Sequence, residues 1–119
     1  INEEGLVLAI ASAISNEAKG LLYLGFSPIR GEIRLGYWLI PAARQMGYGT
    51  AAVLLASGWV LSETEFHRIV ARAKPDNEGS LRLLRKCGFT EEGILREWLW
   101  MDDESHDAIQ FSLLASDLS

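Results

Sequence analysis

One cysteine, Cys87, is all that this chain offers for disulfide chemistry, so no internal disulfide framework holds the fold. Histidine is nearly as scarce: His67 and His106 show no metal-ligand spacing, and no metal is expected. Positive charge is in deficit, with 11 Lys and Arg against 16 Asp and Glu, a net charge of -5. Without a basic field the chain has nothing to condense on nucleic acid or an anionic membrane, and neither is expected as a partner. No apolar run approaches the roughly 20 residues of a bilayer span, and nothing at the start reads as a signal peptide. A cytoplasmic protein is the expectation. Repeats, Pro-rich linkers and low-complexity segments are also missing. What remains is globular material, 119 residues that are 49% hydrophobic and 23% charged, expected to fold as a single domain that buries roughly two thirds of its surface.

The first part of the chain alternates short apolar runs with polar turns. "LVLAIASAI" (6–14) and "LLYLGF" (21–26) have the length and composition of buried strands. "SPIRGE" turns the chain, Pro28 fixing its own φ and Gly31 supplying freedom. "IRLGYWLI" (33–40) is a third strand, stopped by Pro41. After Gly49 the period changes: Ala51, Leu54, Leu55, Gly58, Trp59 and Leu61 predict a helix over 50–64 with these residues on its apolar face. A strand over 67–73 follows, then a helix in "DNEGSLRLLRKCGF" capped by Asn77 and stopped by Gly88. Strands over 92–101 and 106–114 close the chain around the polar turn "DDES". The expected class is α+β, a mixed, mostly antiparallel central sheet with helices on its faces, in the order β-β-β-α-β-α-β-β. Cys87 reads as a small core residue. Trp98 and Trp100 share a strand face and suit a cleft, the core or a homodimer seam equally.

The stretch "ARQMGYGTAAVLL" (43–55) places Gly47 and Gly49 directly before a helix. The first amides of a helix have no intrahelical acceptor and the macrodipole favours negative charge there, so a small-residue turn at that point can cradle phosphate. No Lys-Ser/Thr follows Gly49, which excludes a Walker loop, and the preceding meander is the wrong setting for a dinucleotide fingerprint. A tight turn with no ligand remains the alternative from spacing alone.

The same stretch resembles the acetyl-CoA signature [QR]-x-x-G-x-[GA] of the GNAT acetyltransferases, with Arg44, Gly47 and Gly49 in its fixed positions. "LGYWLIP" resembles the family's fourth strand. "NEGSLRLLRKCGFTEEGILRE" is similar to a segment of its RimJ/RimL-like branch through Asn77, Ser80, Arg82, Leu84, Lys86, Gly88, Phe89, Glu92, Gly93, Leu95 and Arg96. The resemblance runs from Leu6 to the C-terminus. It also implies a strand and two helices ahead of Ile1, so the domain, residues 1–119, is expected to be N-terminally incomplete.

What the resemblance implies is an acetyl-CoA-dependent N-acetyltransferase, with acetyl-CoA as cosubstrate and a protein N-terminus or small-molecule amine as acceptor. Pantetheine would run between the strand ends 36–40 and 69–73, with the amides of Trp38, Leu39 and Ile40 polarising the acetyl carbonyl. The diphosphate would sit on the amides of Gln45, Met46, Gly47, Tyr48, Gly49 and Thr50, with Arg44 beside it. Asn77 would hold pantetheine amides and Ser80 would donate to the departing thiolate, although a helix cap and a first-turn serine account for both as well. The usual base lies two residues before the fourth-strand glycine, where this chain has Arg34. Glu32 on the same strand face is the candidate in its place, with Glu97 a further one. The Arg34 replacement keeps open a second reading, a non-catalytic acyl-CoA-binding or regulatory module.

Overall fold

The structure, a computed structural model, describes residues 5–11, 18–44 and 46–118. Strands β1 (Gly5–Ala11), β2 (Ala18–Phe26) and β3 (Glu32–Leu39) lead to helix α1 (Tyr48–Glu63). Strand β4 (Arg68–Ala73), helix α2 (Glu78–Lys86) and strands β5 (Thr90–Met101) and β6 (Glu104–Leu114) follow. The order is the expected one, while positions 12–14 of the first expected strand lie outside the described residues. One 6-stranded sheet forms in the order β1-β2-β3-β4-β6-β5. Among the described residues its only parallel pair is β3 with β4, because α1 carries the chain back across the sheet between them.

Local chemistry sets the boundaries. Gly31 turns β2 into β3 at φ 80°, and a side chain there would meet the His67 ring. Asn77 caps α2 by accepting from the Ser80 amide at 3.1 Å. A Schellman motif closes that helix at Gly88, with Phe89 N donating to Leu84 O and Gly88 N to Arg85 O. Asp102 and Asp103, both at positive φ, make the β5–β6 hairpin tighter than the expected "DDES" turn.

Strand alternation divides the sheet. Leu22, Leu24, Ile33, Leu35, Ile69, Ala71, Phe111 and Leu113 share one apolar cluster with Val53 and Val60 of α1 and Leu81 and Leu84 of α2. Both described helices therefore cover one face. The other carries Leu21, Arg34, Gly36, Trp38 and Arg72, and Leu21 and Trp38 are exposed there.

The α1 apolar face differs from the expected one. Gly49, Val53, Ser57, Val60 and Leu61 face inward, whereas Leu54, Leu55 and Trp59 are exposed. Apolar residues stand all around α1, so periodicity cannot choose its phase. The small residues Gly49 and Ser57 choose it by letting the helix approach its neighbours.

Candidate active site

The parallel β3–β4 ladder runs only from Glu32↔Arg68 to Leu35↔Ala71. Beyond it β3 continues to Leu39 and β4 to Ala73 without pairing, so the sheet splays at its middle. Alternation decides which backbone groups face the gap. Ile40 N donates to Lys19 O at 2.8 Å, so Ile40 and Trp38 turn toward β2, and Leu39 and Tyr37 turn toward β4. Of the three amides expected to polarise a carbonyl, only that of Leu39 faces the opening, and Tyr37 supplies a second that sequence reasoning missed.

On the helix side the splay leads into a cleft of about 490 Å³. Trp38, Leu39, Arg44, Gly47, Gly49, Thr50, Asn77 and Ser80, all expected site residues, line it. Gln45 lies outside the described residues, and Met46 and Tyr48 line a separate apolar groove toward β1 with Leu8 and Trp59.

Gly47 caps α1 at φ 85° with no side-chain cap, and the first helical bond runs from Ala51 N to Gly47 O. The amides of Tyr48, Gly49 and Thr50 therefore have no intrahelical acceptor, the arrangement that receives an anion. The two glycines do different work. A Cβ on Gly47 would meet nothing within 4 Å, so the residue is needed for its left-handed backbone. A Cβ on Gly49 would stand 2.7 Å from Leu83 Cδ1 and 3.2 Å from Leu39 Cδ1, so its smallness seats α1 against α2 and β3. Arg82 and Lys86 join Arg44 around this helix start. The i, i+4 spacing that puts both on one face of α2 is legible in the sequence, but the chain's acidic total conceals the local positive charge.

Toward the splay, the Tyr37 hydroxyl donates to Ser80 Oγ at 2.8 Å. Burial pushes the Tyr37 phenol up, so it stays protonated, and Ser80 keeps its own hydroxyl proton to donate elsewhere. Cys87, buried behind this pair, is a core thiol whose pKa burial raises.

Glu32 is not in the cleft. On the helix-free face it accepts from Ser27 Oγ and from Arg68 Nε, each at 2.8 Å. Burial alone would raise its pKa, but these hydrogen bonds and the charges of Arg68 and Arg72 lower it overall. Arg68 also grips Glu92 through both terminal nitrogens, at 2.8 and 2.6 Å. Glu32 thus pairs with Arg68, not with its strand neighbour Arg34, and is committed to a clamp across β3, β4 and β5. Glu97 sits on a β5 bulge at φ 51°, its carboxylate accepting from Ser105 Oγ.

A family model described as Acetyltransferase (GNAT) domain matches residues 1–90. The chain belongs to the GNAT acetyltransferase family. The GNAT chain is 41% identical over 75 residues to the probable N-acetyltransferase YjcK of Bacillus subtilis (strain 168), covering 60% of this chain and 41% of that protein. It is 30% identical over 105 residues to the putative ribosomal N-acetyltransferase YdaF of the same organism, covering 80% of this chain and 57% of that one. It therefore spans about half the length of these curated relatives. The solved ribosomal-protein-S5-alanine acetyltransferase from Vibrio fischeri superposes with a TM-score of 0.86 at 22% identity, over 97% of this chain and 64% of that one, and shows the same fold. Among the described residues, no helix is long and apolar enough to cross a membrane.

Proposed function

We propose that this GNAT domain moves an acetyl group from acetyl-CoA to a primary amine by direct transfer, in the cytoplasm. The observation that carries the reading is one continuous cleft in which the unpaired β3–β4 opening, the Tyr37–Ser80 pair and the uncapped, cation-ringed start of α1 meet. Its residues fit the cosubstrate: the amides of Gly49 and Thr50, with Arg44, Arg82 and Lys86, would hold phosphates, and Asn77 Nδ2 would reach a pantetheine carbonyl. Acetyl-CoA supplies an acetyl thioester, so that the amine lone pair forms the C–N bond as the C–S bond breaks, the electron pair passing to sulfur and the surplus amine proton to water. The Leu39 and Tyr37 amides would polarise the acyl oxygen. Ser80 would donate to the departing sulfur, and the Tyr37 donation into Ser80 would strengthen that donor.

Calorimetry on the full-length protein tests this, with acetyl-CoA at about 100 times its dissociation constant adding roughly 2.7 kcal/mol to stability. Release of free thiol with protein N-terminal peptides and small amines then reports transfer. Absence of acetyl-CoA binding by the folded protein refutes the proposal. The second reading, a non-catalytic acyl-CoA-binding module, draws on the commitment of Glu32 to Arg68. Binding without thiol release on any acceptor selects it.

A further inference from the structure

The face that the described helices leave bare is positively charged where the splay opens. Arg34 is exposed and, among the described residues, makes no ion pair. Arg34 pairs with Val70 near the end of the closed ladder, and Arg72, one residue past its last rung, lies diagonally from it on the same face, its Nε donating to Gln110 Oε1 at 3.0 Å and its guanidinium stacked 4.8 Å from the Trp98 ring centroid. The β5 bulge at Glu97 puts Trp98 there. Among the described residues, the terminal nitrogens of Arg72 make no hydrogen bond. Gly36 follows Arg34 on the same face of β3, past the last rung, and an added Cβ there would meet nothing within 4 Å. Trp38, on this face, is also among the residues that line the cleft at the gap.

One nearby acid, Glu32, attracts Arg72 through space but is hydrogen-bonded to Arg68 and Ser27. Glu32 and Glu92 are both held by Arg68, and β1, β2 and β4 carry no carboxylate. A polycation entering here would meet two guanidinium groups. An anion would find a bidentate partner in each, and stacked arginine is already held in place for it. Burial, and then the charge of Arg34, makes the charge on Arg72 costly; Glu32 offsets part of this, and an anion beside Arg72 would offset more.

We propose that Arg34 and Arg72 select an acceptor that carries an anionic group, a carboxylate, close to its primary amine. The two cations also favour the neutral form of that amine, the form that attacks, which lessens the need for a carboxylate base. The proposal rests on the acetyl-transfer reading for the position of the amine, while the anion preference is measured by itself.

The test is calorimetry on the full-length protein saturated with coenzyme A, using alanine against alaninamide, peptides beginning with Asp against Asn, and spermidine. We expect at least one acid to bind about ten-fold or more tighter than its amide, and spermidine to bind most weakly. The first pair reports a free amino acid and the second an acidic peptide N-terminus. Arg34→Gln erases the acid preference and Arg34→Glu inverts it, with coenzyme A affinity and melting temperature as folding controls. In turnover, the loss falls on acceptor KM more than on kcat. Equal binding of acids and amides, tightest binding by spermidine, or an acid preference that survives both Arg34→Gln and Arg72→Gln overturns the proposal. If coenzyme A does not bind, the acetyl-transfer reading fails, and the acid and amide arms on the free protein still report the arginine pair.

Discussion

The clamp at the closed end of the splay can be tested through Glu92→Gln. Glu92 accepts two bonds from Arg68, one from Gln110 at 3.0 Å and one from Ser112 at 2.9 Å. The Arg68 hydrogen bonds are the largest influence, and against the opposing effect of burial they draw the Glu92 carboxyl from 4.5 down to about 2. At 1.36 kcal/mol per pH unit that shift corresponds to about 3 kcal/mol. With the Glu92 side chain 30% exposed, solvent screening reduces the expected loss to about 1–2 kcal/mol. The folded-state pKa lies below the unfolded one, so this stability is fully present above pH 4.5 and drains away as pH falls toward 2. Thermal denaturation at neutral pH should place Glu92→Gln roughly 4–8 °C below the parent. Denaturant titrations at decreasing pH should then bring the two proteins together near pH 2. A gap that stays constant across that range, or no gap at neutral pH, would show that Glu92 is not held ionised by Arg68.

Ser80→Ala should lower kcat about 10- to 100-fold with little change in acetyl-CoA affinity, as expected for a donor needed while the C–S bond breaks; an unchanged kcat assigns Ser80 to structure alone. Replacing Arg82 and Lys86 together with alanine should weaken acetyl-CoA binding about ten-fold or more and flatten its salt dependence, read by calorimetry at two ionic strengths. Gly49→Val should cost about 1–3 kcal/mol through overpacking against Leu83 and Leu39, so melting temperature must fall before cosubstrate affinity is compared. An undiminished melting temperature would mean that α1 can shift away without cost.

Much of the site was legible because its requirements are local. Gly47 must take positive φ at a helix start, Asn77 must cap α2 and Gly88 must end it; each follows from residues a few positions apart. The amides facing the gap were misassigned, because which strand neighbour takes the Ile40 amide depends on β2, about twenty residues earlier in the chain. Tyr37 was missed for a similar reason, its partner Ser80 being 43 positions away.

The sequence by itself determined the element order, the glycine turn ahead of α1 and the family pattern, since periodicity, capping and backbone freedom act over short spans. The tertiary structure decided which face of α1 is buried, that Glu32 serves a clamp, and that Arg34 and Arg72 share one sheet face beside the opening. Each of those depends on which strands become neighbours. Where a parallel ladder stops after Leu35 and Ala71, the sheet opens, and charges distant in sequence come to share one face.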